Sequence, residues 1–247
     1  MEIKNFKTEE AAAVAAGRYI NNFVKKNPKA VIGLATGSTP LSLYNEMIKG
    51  CKEGVDYSGV TTFNLDEYVG LPVTHNESYR SFMNRNLFSQ ININIRNTFV
   101  PDGMSADLET QCTDYEERIR SAGGIDIQVL GIGSNGHIGF NEPPAPFDSR
   151  TSVIELTEQT INDNARFFDS KEEVPKRAIS MGVQTIMDAR CCMLLAYGSG
   201  KTSALKGAIE EVPDTMNPAS ALQNHPNVTF YLDEAAASLI TKQVREF

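Results

Sequence analysis

Residues 125–144 read IDIQVLGIGSNGHIGFNEPP. The first nine form a largely apolar run with the character of a strand. The six letters Gly131-Ile132-Gly133-Ser134-Asn135-Gly136 fit G-x-G-x-x-G, the fingerprint of a dinucleotide-binding turn. That fingerprint carries meaning only when a helix opens at the glycines, so that its N-terminus meets the pyrophosphate. Here His137-Ile138-Gly139-Phe140-Asn141-Glu142 follows, and then Pro143 and Pro144, which forbid a regular helix. The stretch is therefore a strand that runs into a long glycine-bearing loop. No nicotinamide site is indicated.

Working outward, similar strands recur at 30–35 (AVIGLA), 60–65 (VTTFNL), 191–198 (CCMLLAYG) and 228–233 (VTFYLD). Helical patterns separate them: 8–26 with Thr8 as N-cap, a helix opened by Thr39-Pro40 and closed at Gly50, 77–88, 105–121, 201–211 and a closing helix. Short apolar strands alternating with helices predict an α/β fold: a mainly parallel sheet with helices on both faces, a Rossmann-like open sandwich. No linker or repeat interrupts residues 1–247, which read as a single domain. Ligands of such sheets bind beyond the carboxyl ends of the strands, where the strand order reverses. Attention thus falls on the loops 36–39, 64–70, 131–142 and 198–202.

Each loop carries chemistry. Thr36-Gly37-Ser38-Thr39 joins a buried strand to a helix N-terminus, where small residues, hydroxyls and the helix dipole suit an anion, best a phosphate. A plain capped turn would need only one of those hydroxyls. Asp66-Glu67 follows a strand, and adjacent side chains leave it on opposite sides, so at most one carboxylate faces the cleft. A partly desolvated carboxylate there suits a general base for a carbon-bound proton. Gly198-Ser199-Gly200-Lys201 fails as a Walker motif, because the required first glycine is Leu195. Its lysine can still serve as a phosphate partner, or simply lie in solvent. In the opening stretch His137, Asn135 and Glu142 fall within eight residues, and a carboxylate or amide can fix a histidine's tautomer. No cluster of His and Cys has metal spacing.

The composition narrows the classes further. A net charge of −8 argues against nonspecific binding to nucleic acid or anionic membranes, while leaving a local anion site open. The longest apolar runs fall well short of a bilayer span, and MEIKNFKTEE has no signal-peptide core. Four cysteines without a C-x-x-C pair read as buried thiols in a reducing compartment, so the expected location is the cytoplasm.

Taken together, GLATGSTPLSLY, TFNLDEYVGLP with HNESYRSFM, GIGSNGHIGFNEP, SRTSVIELT, ARFF and GSGKTSAL resemble the glucosamine-6-phosphate deaminase family, in that family's order and over nearly the whole chain. DEYVGL and GHIGFNEP are its most specific segments; the related 6-phosphogluconolactonases share the fold and a glycine-rich GH loop but lack its FNEP continuation and the DEYVGL segment. The resemblance implies an isomerising deaminase of amino-sugar catabolism that converts glucosamine 6-phosphate and water to fructose 6-phosphate and ammonia, with no cofactor and no metal. It implies Asp66 as the base moving a proton from C2 to C1, and His137 as the catalyst of ring opening, with Glu142 beside it. Thr36, Gly37, Ser38, Thr39, Arg166 and Lys201 would hold the phosphate. Glu67 is a supporting candidate.

The chain departs from the pattern of some members at two places. Asn135 stands where some relatives carry aspartate; an amide can orient the imidazole but cannot stabilise its cation by charge. Ser152 and Ile154 stand where members activated by N-acetylglucosamine 6-phosphate place basic residues, so no such activation is expected. The expected partner is a small amino-sugar phosphate, with no nucleic acid and no membrane; monomer or homo-oligomer is left open. The competing readings are a 6-phosphogluconolactonase-like hydrolase and a noncatalytic sugar-phosphate sensor.

Overall fold

The computed structural model describes residues 1–242 together with Arg245 and Glu246. Its elements are β1 (Glu2–Phe6), α1 (Glu9–Lys26), β2 (Val31–Leu34), α2 (Leu41–Lys52), β3 (Thr61–Asn64), β4 (Asp66–Tyr68), α3 (Tyr79–Asn86), β5 (Thr98–Phe99), α4 (Leu108–Ser121) and β6 (Ile127–Leu130). They continue with β7 (Ser152–Glu155), α5 (Glu158–Asn164), β8 (Arg177–Ser180), α6 (Val183–Met187), β9 (Cys192–Ala196), α7 (Thr202–Glu210), β10 (Val228–Asp233), α8 (Glu234–Ala237) and β11 (Arg245–Glu246).

Eight strands form one sheet in the order β11-β1-β10-β9-β6-β2-β3-β5, and every pairing in it is parallel. The five strands expected from sequence lie in it, with helices on both faces as expected. On one face Phe63, Leu130 and Leu194 pack against Tyr115 of α4, Ile186 of α6 and Leu205 of α7. On the other, Ile32, Leu34, Ile127 and Met193 pack against Ile20 of α1, Met47 of α2 and Met83 of α3. Parallel strands covered on both sides must be apolar throughout, which is why these segments read as continuous hydrophobic runs.

The order of the strands locates the cleft. From β2 the chain builds outward through β3 to β5, then returns to β6 and builds the other way through β9 to β10. β2 and β6 are neighbours, with Ile32 opposite Ile127 and Gly33 opposite Gln128. The order reverses between them, and the loops after both strands leave side by side.

A second, three-stranded antiparallel sheet, β4-β8-β7, was not legible in the sequence, where 64–70 reads as a loop. The chain leaves the main sheet at Leu65, whose N–H donates to Leu34 O (3.0 Å) and whose carbonyl accepts from Met181 N (2.8 Å). It then pairs Asp66 with Ser180 and Tyr68 with Ala178. Such short strands have too few residues to display a period of two.

The helix ends shift in informative ways. Thr8 caps α1 as expected, accepting from Ala11 N at 3.2 Å. Thr39 does not cap α2: Pro40 holds the cap position without a side-chain bond, and Thr39 is left facing a cavity. α2 also runs past Gly50, because Gly50 is a contact point with Asn21 of α1 and not a stop signal.

Gly103, after β5, braces β4 from outside. Its carbonyl accepts from Gly70 N (2.9 Å), and a Cβ built on it would lie 1.9 Å from Tyr68 O. Because the obstacle is backbone, no rotamer change relieves it. Gly103→Ala is expected to destabilise the protein by about 1–3 kcal/mol, the usual cost of overpacking, measured by urea denaturation; an unchanged midpoint would show that the two loops can part at no cost.

Candidate active site

A cavity of about 520 Å³ opens over the carboxyl ends of β2 and β6. Its floor and walls include Thr36–Thr39 after β2, Asp66 at the start of β4, and Gly131, Gly133 and His137 after β6. Three loops singled out by sequence thus meet in one place. The fourth, with Lys201 in a 3-10 turn after β9, lies outside the cavity wall, and so does Arg166, whose guanidinium sits 4.7 Å over the Phe167 ring.

The anion-type loop is held from below. Tyr44 of α2 donates its hydroxyl to Ala35 O at 2.5 Å and accepts from Ala35 N at 3.2 Å, fixing the end of β2. Thr36–Thr39 therefore sit at the N-terminal end of a twelve-residue helix, where unpaired N–H groups and the dipole favour negative charge.

Asp66 and Glu67 point apart, as adjacent residues of a strand must. Glu67 faces away from the cavity and accepts three backbone N–H bonds, from Tyr68 (2.9 Å), Tyr79 (2.9 Å) and Arg80 (3.0 Å). Its carboxylate thereby joins β4 to the first turn of α3. Asp66 faces the cavity at 6% exposure, and no hydrogen bond is made to its carboxylate among the described residues. Burial, reinforced by the neighbouring Glu67 charge, pushes its pKa up to about 8. One acid is thus satisfied by backbone donors and the other is kept reactive.

The loop from 131 to 145 contains no helix. Gly133, the second glycine of the apparent fingerprint, is needed for the imidazole: a Cβ there would lie 2.3 Å from the His137 ring. Gly136 adopts φ +86°, and its carbonyl accepts from Ala219 N at 2.9 Å. Ser180 of β8 accepts from Phe140 N (3.1 Å), and Asn141 donates to Met181 O (2.8 Å), so the far half of the loop is fastened to the antiparallel sheet.

His137 Nδ1 lies 3.3 Å from Glu142 Oε1, close enough for an ion pair but not aligned as a hydrogen bond. Burial would raise the pKa of Glu142, but His137, Thr160 and Asn135, all facing it, hold it down to about 2. Asn135 does not reach the imidazole. Its Nδ2 donates to Glu142 Oε2 (2.6 Å), and its Oδ1 accepts from His137 N (3.2 Å). It orients the carboxylate and the histidine backbone, which corrects the expectation that it would orient the ring directly.

Sequence reasoning missed much of the wall. Tyr68, Tyr79, Phe140 and Phe168 form a connected aromatic cluster, with Tyr68–Tyr79 centroids 4.8 Å apart and Tyr79 stacked on Phe140 at 6.0 Å. Among the described residues that line the cavity, Arg85 is the one Lys or Arg. Tyr79, Phe82 and Arg85 recur at intervals of three along α3, so helical spacing after Ser78 could have found them. His225, which reads as a loop residue, is buried, with Nε2 2.8 Å from Ala189 O.

The profile of the glucosamine-6-phosphate isomerases/6-phosphogluconolactonase family matches residues 5–231. The chain belongs to this family. Within it, the glucosamine-6-phosphate deaminase of Alkaliphilus oremlandii is 49% identical over 232 residues, covering 94% of this chain and 96% of that one. The deaminase of Shouchella clausii is also 49% identical, over 245 residues, covering 98% and 99%. The solved structure of a monomeric glucosamine-6-phosphate deaminase superposes with a TM-score of 0.94 at 43% identity, over 97% of this chain and all of that one. A 6-phosphogluconolactonase from Trypanosoma cruzi reaches 0.79 at 21% identity over 97% of each chain, which is a likeness of fold alone. No helix among the described residues is long and apolar enough to cross a membrane.

The environment of Asp66 has a consequence for stability. An unfolded aspartate titrates near 3.9, so the folded protein binds this proton more tightly and loses stability as pH rises from about 4 to about 8. Asp66→Asn removes that dependence. The variant's Tm is expected to exceed that of wild type by an amount that grows between about pH 5 and about pH 8; a constant difference would mean that Asp66 is not held protonated.

Proposed function

We propose that this chain is a glucosamine-6-phosphate deaminase, one catalytic domain over residues 1–247 that acts in the cytoplasm on a small amino-sugar phosphate. The single observation that carries the reading is that Asp66, buried and without a hydrogen bond to its carboxylate among the described residues, shares one cavity with His137 of the His137–Glu142 pair and with the loop at the N-terminal end of α2.

The chemistry asks for three things, and these residues supply them. His137, with its Nδ1 edge toward an ionised Glu142, keeps Nε2 for the sugar and moves the proton that opens the ring. Asp66 removes the proton from C2 of the open chain and returns it to C1. The resulting ketimine is hydrolysed by water to fructose 6-phosphate, and the amine leaves as ammonia. The substrate's ammonium group next to Asp66 favours the ionised carboxylate, which offsets the burial that raises its pKa. Thr36–Thr39 hold the phosphate, with Arg166 and Lys201 swinging in from the rim. The tyrosine and phenylalanine cluster covers the sugar and excludes water from the proton transfers.

Purified protein with glucosamine 6-phosphate is expected to release ammonia and fructose 6-phosphate in equal amounts; neither product appearing would refute the reading. Asp66→Asn should bind substrate but stop deuterium entering from solvent at C1, a loss of about 10²-fold or more in proton transfer. Lys201→Ala should raise KM with little change in kcat, since the phosphate contact is the same in ground and transition states. An unaltered KM would remove Lys201 from the phosphate site. N-acetylglucosamine 6-phosphate should leave KM where it is, and a marked fall would contradict the reading of Ser152 and Ile154.

A further inference from the structure

Glu142 is held by side chains from two separate parts of the fold. Asn135 and His137 belong to its own loop, but Thr160 comes from α5. Thr160 is buried, and its hydroxyl donates to Glu142 Oε1 at 2.5 Å, on the same oxygen that faces His137 Nδ1. Its direction is set by Glu142, whose ionised carboxylate has no proton to donate. On its other side the Thr160 hydroxyl accepts from the Thr157 hydroxyl (3.0 Å), which itself accepts from Thr160 N (3.2 Å). α5 continues from there to Asn164, and the next turn brings Phe167 and Phe168 to the cavity wall. A carboxylate tied at Oε2 by Asn135 and at Oε1 by Thr160 cannot turn about its terminal torsion, which is otherwise soft.

We propose that Thr160 is a positioning residue for the acid–base pair. By fixing Glu142 Oε1 at the Nδ1 edge of His137, it couples the seating of α5 over the substrate to the orientation of the imidazole. The part played by His137 in ring opening rests on the deaminase reading above; the mechanical tie does not. A sugar that packs against Asn164, Phe167 and Phe168 steadies α5, and through Thr160 it steadies the carboxylate that orients the proton-transferring ring. Substrate seating and acid–base alignment are then one event.

The test uses the full-length chain. Thr160→Val keeps the shape and deletes the hydroxyl; kcat with glucosamine 6-phosphate is expected to fall about tenfold or more, the size of a lost charge-assisted hydrogen bond, with KM within about twofold. Thr160→Ser should restore kcat. Thr157→Ala loosens the cap of α5 but spares the bond to Glu142, and should raise KM instead. In a Glu142→Gln background, Thr160→Val should cost little more, because both changes act through one contact. Additive losses, a Thr160→Val variant that behaves like Thr157→Ala, or a failed serine rescue would overturn the proposal. If wild type releases no ammonia, the deaminase reading fails, and the tie is judged without turnover. With three histidines in the chain, the imidazole resonances of His137 can be followed directly by NMR. They should shift in Thr160→Val but not in Thr160→Ser, and unmoved resonances in Thr160→Val count against the tie.

Discussion

The parallel pairing of β2 with β6 is the constraint on which the rest of the site depends. Gly33 lies opposite Gln128, and the chain leaves this pair in opposite directions to build the two halves of the sheet. Between two strands that diverge in this way, no helix can cover the carboxyl ends, and a crevice is left. Into it fall a loop that starts a helix and a loop that cannot. The first presents hydroxyls and the N-terminal end of a helix; the second, denied a helix by Pro143 and Pro144, presents His137, with Glu142 at its Nδ1 edge.

The departure of the chain at Leu65 completes the site. Had β3 continued, Asp66 and Glu67 would have extended the main sheet into solvent. The antiparallel sheet formed with β8 carries them under the 131–145 loop, where burial separates their roles. Glu67 gains three backbone donors and welds β4 to α3, which brings Tyr79, Phe82 and Arg85 to the wall. Asp66 gains none among the described residues and is left with a raised proton affinity. That arrangement costs stability at neutral pH, a cost commonly borne at functional sites and offset by the core around them.

The glycines of GIGSNG illustrate how letters and structure part company. They match a cofactor fingerprint, yet Gly133 makes room for an imidazole and Gly136 permits a left-handed turn. The two prolines were enough to reject the fingerprint, because proline acts locally and without regard to tertiary context. The same logic made Thr8 legible as a cap. It misled at Thr39 and Gly50, where contacts with the cavity and with Asn21 outweighed local propensity.

By itself the sequence determined the strands buried on both faces, because a covered parallel strand can only be apolar, and it pointed to three of the loops that meet at the cavity, because they follow such strands and carry residues whose local rules hold in any fold. The family resemblance rested on the same segments. Tertiary structure alone decided which side chains meet. The antiparallel strands are too short to show a period, and the aromatic wall draws on Tyr68, Tyr79, Phe140 and Phe168, separated by up to a hundred residues. Asn135, Thr160 and His137 converge on one carboxylate from two parts of the chain, and no local pattern encodes a hydrogen bond between residues that only folding brings together.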